Sequence, residues 1–241
     1  MKNNPVGRLK DTMGQFTGYH NQGASISRVW CKVLGCEPSE TRKIMEGMLS
    51  VMKLNDDARA ATERYIENCP DFYLAPFRQI EQLCAHMQMQ TTMTSVPGFP
   101  NDAMIVSLTF MEHQLDAYFG ATPSDQEAQI ELLLQSVDEL LEECLAATMN
   151  DKLKAALVRQ LHSIRTALMT YKITGPEGLE AAVEQALGSL FRHQNLVSEH
   201  PSEDTKISRF FDLLGRANDL ASSYQLIAPA LAPISTLFLL S

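Results

Sequence analysis

The chain has 241 residues, 45% hydrophobic and 20% charged, with a formal net charge of −9. This is an ordinary globular composition, sufficient for one large domain or two small ones and for a core that needs no metal or disulfide to fold. Lys and Arg are scattered, with no basic run longer than Arg42-Lys43. The clustered positive charge that releases counterions from nucleic acid is missing, so no nucleic-acid partner is expected.

Five cysteines, Cys31, Cys36, Cys69, Cys84 and Cys144, are odd in number and match no disulfide framework. The N-terminal residues hold no apolar stretch of the secretory kind. Both features point to a reducing cytosol. Twelve methionines suit an adaptable core or a soft contact surface.

In chain order, the first twenty-odd residues are polar and carry Gly7, Gly14, Gly18 and Gly23, and read as a loose arm. Ser25 is placed to cap a helix whose apolar face is Ile26, Val29, Trp30, Val33 and Leu34, ended by Gly35. Ser39 is the next predicted cap, with Ile44, Met45, Met48, Val51 and Met52 as the stripe behind it. Asn55 is predicted to cap a third helix with Ala58, Ala61 and Tyr65 inward. Pro70 stops that helix, and Pro76 fits the first turn of a fourth with Phe77, Ile80, Leu83, Cys84 and Met87 inward.

Residues 91–101, rich in Pro, Gly and hydroxyls, are the best internal loop. Asp102 is then predicted to cap a helix carrying Ile105, Leu108, Met111, Leu115 and Tyr118. The strongest signal follows. Thr122, Pro123 and Asp125 form a capping-box-like start. The stripe behind it is Ile130, Leu133, Leu134, Val137, Leu140, Leu141, Cys144 and Leu145, opposite an acidic face with Glu139, Glu142 and Glu143. Asn150-Asp151 turns the chain into a second stripe: Leu153, Leu157, Leu161, Ile164, Leu168 and Tyr171. So short a turn predicts an antiparallel pair. Its second helix has a mildly basic side, Arg159, His162, Arg165 and Lys172, facing the acidic one. Thr174-Gly175-Pro176 breaks the chain. A helix over Leu179 to Leu190 and another after Ser202 complete the pattern. No segment alternates like a strand, and no fixed-period repeat occurs.

The expected fold is therefore all-α: a multi-helix, bundle-like array of about nine helices with a long central antiparallel pair. The expected division is a helical subdomain over residues 1–90, a bundle core over 102–225 and an apolar tail over 226–241.

Chemistry is harder to place. HExxH, Glu-x-x-His, a phosphate-binding glycine loop and GxSxG are all absent. His113, Asp116 and Glu112 lie close on one helix, but read most simply as a polar face. Cys31-x4-Cys36 and Cys84-x-His86 hold zinc-ligand types at spacings foreign to short zinc sites. No catalytic, cofactor-binding or metal residue is assigned, and no cofactor is expected. The uncharged tail, with Leu226, Ile227, Leu231, Ile234, Leu237, Phe238, Leu239 and Leu240, is the candidate interaction segment. As a helix its fifteen residues would span only about 23 Å, short of a hydrocarbon core of ~30 Å, and Pro229 and Pro233 weaken it further.

The favoured expectation is a non-enzymatic helical interaction or regulatory protein, binding a protein partner or its own copies in the cytoplasm. One alternative is a membrane-associated effector using the tail at the inner face of a membrane. Another is a helical enzyme whose site is assembled from scattered polar residues.

Overall fold

The computed structural model describes residues 4–19, 23–66, 71–85, 92, 100–119, 125–192 and 204–222. Among them nine helices occur: α1 (Pro5–Thr17), α2 (Ile26–Leu34), α3 (Thr41–Tyr65), α4 (Asp71–Ala85), α5 (Asp102–Leu115), α6 (Gln126–Ala146), α7 (Asp151–Met169), α8 (Tyr171–Arg192) and α9 (Asp204–Ser222). The one bridge of β type among these residues is isolated, between Ser25 and Thr92. The fold is the all-helical, bundle-like array that the periodicity predicts. Packing divides the chain into two units: Met1–Ala121 with Lys172–Gly175, and Thr122–Tyr171 with Pro176–Ser241.

The first unit is built around a helix where the sequence suggests a loose arm. Val6, Leu9, Met13 and Phe16 are fully buried. Their spacing, i, i+3, i+7, i+10, is one face of a helix. Pro5 occupies the first helical position, and the Asn4 side-chain oxygen accepts the Val6 N–H at 2.9 Å, the two strongest start signals a helix has. The same Asn4 donates through Nδ2 to the Glu112 carbonyl at 2.9 Å, which ties the start of α1 to the last turn of α5. α1 packs on both α3 and α5. Phe16 meets Trp30 of α2 edge to face, with ring centroids 4.8 Å apart. Burial against three helices outweighs the ~1 kcal/mol that an interior glycine such as Gly7 costs relative to alanine.

A second correction concerns α3. Asn55 does not start a helix; α3 runs unbroken for 25 residues with Asn55 buried in its middle. Its Nδ2 donates to the Phe77 carbonyl of α4 at 3.2 Å. Asparagine's preference for caps comes from local hydrogen bonding, and a tertiary carbonyl supplies an equivalent partner here. Smaller shifts follow the same logic. Glu40 and Asn101, rather than Ser39 and Asp102, precede α3 and α5, and Asn101 accepts the Met104 N–H at 2.9 Å. Pro76 lies inside α4, past its first turn. The carbonyl it leaves without an in-helix donor belongs to Phe72, an exposed residue where water can serve.

The second unit contains the long pair. Asn150 caps α7, accepting from the N–H groups of Lys152 and Leu153. Arg165 Nε meets Asp138 at 2.6 Å, and Gln126 at the start of α6 reaches the Tyr171 hydroxyl just beyond α7 at 3.0 Å. Both contacts require α6 and α7 to run antiparallel; of the expected acidic–basic contact between them, Arg165–Asp138 is the ion pair seen, while Glu139 and Glu143 face Arg209 of α9. Val137, Leu141, Leu161, Ile164 and Leu168 are buried, Leu134 half-buried. Leu145, expected inward, is 54% exposed, whereas Leu140 and Cys144 are buried. The stripe on α6 is broader than the helix surface α7 can cover, so its edge faces water. α9 lies along α6, with Arg209 paired to Glu143 and Arg216 donating to the Ser136 hydroxyl at 3.1 Å. The predicted break at Thr174-Gly175-Pro176 is present: Gly175 interrupts α8 with φ 65° and ψ −165°, a conformation open to glycine. The predicted caps Thr122 and Ser202 lie outside the described residues.

Leu9→Ala and Leu161→Ala should each cost roughly 2–5 kcal/mol in denaturant melting, because both side chains are fully enclosed. Leu145→Ala should stay within about 0.5 kcal/mol. A loss at Leu145 comparable to that at Leu161 would show that the exposed edge of α6 is wrongly placed.

Candidate interaction surface

The feature with most functional content lies on α3. Its inward face is Ile44, Gly47, Val51, Leu54, Asn55, Ala58, Ala61 and Thr62. Gly47 permits a close approach: a Cβ there would stand 2.4 Å from a methyl carbon of Leu34 in α2. Met45 and Met52, which the sequence reading groups with the inward stripe, are instead 53% and 45% exposed, and Leu49 between them is 64% exposed. α3 thus carries two apolar stripes, not one. At about 100° per residue, Leu49 and Ala58 stand half a turn apart around the helix.

The outer stripe has a definite period. Arg42, Met45, Leu49, Met52 and Asp56 are spaced 3, 4, 3 and 4 residues apart, and all five are exposed. That is the a/d spacing used by two-helix contacts, over about 21 Å. Glu46 and Lys53 flank it on one side. Along the helix Arg42 binds Glu46 at 2.7 Å and Lys53 binds Asp57 at 2.7 Å. The hydrogen bond to Glu46 holds the Arg42 guanidinium above its ordinary pKa. Exposed pairs of this kind add little to stability.

Other surfaces are less developed. In the first unit, a cavity of about 420 Å³ is lined by Tyr19, Gly23, Ser25, Arg28, Val29 and Lys32, with both cations open to solvent. Phe72, Val106 and Phe110 are exposed aromatic or aliphatic side chains on α4 and α5. In the second unit, Gln129, Leu132, Leu133, Arg216, Asp219 and Leu220 line a groove of about 250 Å³ between α6 and α9.

The metal-ligand types do not converge among the described residues: no group of three or more His, Cys, Asp or Glu could hold an ion. His113 and Asp116 are exposed, while Glu112 is buried and receives Lys10 of α1. Cys31 and Cys36 are neighbours in the first unit; Cys69 and His86 lie outside the described residues. Burial, with a hydrogen bond to Cys36, pushes the Cys31 thiol up to about 11, and burial pushes Cys84 up to about 11. The candidate interaction segment with Leu226, Ile227, Leu231, Ile234, Leu237, Phe238, Leu239 and Leu240 also lies outside the described residues. The α3 seam is what the sequence reading missed as a site. Its signal was present in the 3-4-3-4 spacing, hidden because Met45 and Met52 flank buried Ile44 and Val51.

A thiol pushed up to about 11 has roughly 100-fold less thiolate at pH 8 than an ordinary one. Cys84 should therefore be alkylated at pH 8 at least about 100-fold more slowly in the native protein than in denaturant, by mass spectrometry of the labelled peptides. Equal rates would show that Cys84 is not enclosed. The chain matches no protein-family model, no curated protein and no solved structure.

Proposed function

We propose that this is a non-enzymatic helical interaction or regulatory protein that acts through protein–protein contacts. The observation that carries the reading is the seam Met45–Leu49–Met52 on α3. Three large apolar side chains, spaced for helix-to-helix contact, stand in water on a helix whose opposite face already supplies the core. Isolated exposed apolar residues are common, but a row at heptad spacing bounded by charge has the anatomy of a contact site: apolar centre, polar rim. Two of the three are methionines, flexible enough to fit a partner surface.

The uncharged C-terminal segment supports the same reading from sequence alone. Its eight large aliphatic and aromatic residues gain on the order of 10 kcal/mol on burial, before ordering entropy is subtracted. Docking on protein is the proposed way to realise that gain. Among the described residues no helix is long and apolar enough to cross a membrane.

The test places a photo-crosslinking residue at Leu49 and, as a control, at exposed His162 on α7. Irradiation in the host cell should give a discrete protein adduct at position 49, lost when Met45→Glu is added, and none at 162. A seam that gives only the adducts seen at 162 is an ordinary surface, and the reading fails. A second measurement addresses the tail. Deleting the residues after Gln225 should lower stability or disrupt assembly and leave liposome flotation near zero in both forms. If the intact chain floats with liposomes while the shortened one is equally stable, the membrane-effector reading replaces docking.

A further inference from the structure

We infer that the occupant of the α3 seam is the α3 seam of a second copy of this chain, packed antiparallel about a two-fold axis near Leu49. The inference rests on the protein–protein reading and adds the partner's identity and orientation.

The argument is one of charge. The seam is apolar in the middle and carries opposite charges at its ends: Arg42 at the N-terminal end, Asp56 at the C-terminal end, both exposed. Such a strip is complementary to its own reverse. Rotated by 180° about an axis through Leu49, seven residues from either end, it places Arg42 of each copy beside Asp56 of the other. Its flank behaves the same way. Glu46 lies three residues before Leu49 and Lys53 four residues after it, so the rotation brings Glu46 of one copy within a turn of Lys53 of the other. Leu49 meets Leu49, with Met45 and Met52 closing over it from both sides. A parallel pairing would instead set Arg42 against Arg42 and Asp56 against Asp56, like charges at both ends.

The intrahelical pairs make the match more complete. Arg42 already holds Glu46, and Lys53 holds Asp57. In the antiparallel arrangement these become members of chains of alternating sign, from Asp56 and Asp57 of one copy through Arg42, Glu46 and Lys53 at the seam. Because the contact is isologous, every such pairing occurs twice. Exposed ion pairs add little affinity and mainly set register. Affinity comes from the six apolar side chains that the two copies bring to the centre, Met45, Leu49 and Met52 of each.

The size of the seam sets the strength. Two helices meeting over about four turns bury less than the ~800 Å² per partner of a standard stable interface. The expected dimer is therefore weak and in rapid exchange, populated at high local concentration.

Sedimentation velocity on the full chain, from low micromolar to several hundred micromolar, reads this directly. The sedimentation coefficient should rise with concentration in the native protein. Leu49→Glu should abolish the rise while helicity and melting stay unchanged, since the residue faces water in the monomer. Arg42→Glu and Asp56→Arg should each weaken association about fivefold, and the double variant Arg42→Glu/Asp56→Arg should restore it. Restoration is specific to the antiparallel pairing. A native chain that stays monomeric throughout overturns the inference, as does a dimer indifferent to Leu49→Glu. Single charge variants whose losses simply add in the double variant overturn the antiparallel register. A monomer that nonetheless gives a Leu49 adduct of a different protein overturns the second copy and keeps the protein–protein reading. A monomer with no such adduct overturns both.

Discussion

Burial of α1 is the constraint on which the first unit rests. A thirteen-residue helix placed against three others must satisfy its own polar groups where water cannot reach. Asn4 meets that demand at the N-terminus, accepting from Val6 and donating to the Glu112 carbonyl. Thr12 returns its hydroxyl to the Arg8 carbonyl one turn back, at 2.8 Å. Lys10, at the edge of the buried face, reaches the buried Glu112 carboxylate, which would otherwise be costly to enclose. With these groups satisfied, Val6, Leu9, Met13 and Phe16 present a continuous apolar face, and α2, α3 and α5 gather around it.

The position of α1 in turn fixes how α3 is rolled about its axis. Ile44, Val51, Leu54 and Ala58 must face the core that α1 occupies. Two contacts sharpen the setting. At Gly47 the absence of a side chain lets Leu34 come within a distance that any Cβ would forbid. At Asn55 a buried amide must point toward the Phe77 carbonyl to keep a hydrogen bond. These lie on the same side of the helix, about two turns apart, so the roll is held at both ends of its central segment. Once it is held, Met45, Leu49 and Met52 have no direction left but outward. The exposed seam is a geometric consequence of how the core is satisfied.

What could be read from the sequence divides along physical lines. The α6–α7 pair was legible because local and tertiary signals agree: Asn150 caps, and the leucine stripes are long. The Gly175 break was legible because only a glycine suits its backbone. α1 was obscured by Gly7, Gly14 and Gly18, whose low helix propensity is overridden by packing that no local window contains. Asn55 misled for the same reason, since its partner is 22 residues away. The seam was obscured differently. On α3 almost every position from Ile44 to Leu54 that is not charged is apolar, so a single wide stripe fits the pattern as well as two opposed ones. Which residues turn inward depends on Gly47 and Asn55, and nothing local marks either as a packing contact.

On the proposed reading, the two stripes of α3 divide the labour between folding and recognition. Changes on the inner face, at Val51 or Ala58, act on fully buried side chains and report as lost stability. Changes on the outer face act on side chains that gain little from folding, since they stay largely in water. This separation is what allows the contact surface to be altered without unfolding the unit that carries it. It also explains the charges at the ends of the seam. An exposed apolar row with nothing to define its register would pair with many surfaces in many alignments. Arg42 and Asp56 make most of those alignments unfavourable: sliding the partner helix by one turn, or reversing it, brings like charges together or leaves a charge over Met45 or Met52. In the proposed pairing the polar boundary narrows a sticky row to one preferred arrangement, at the cost of some affinity that longer apolar ends would have added.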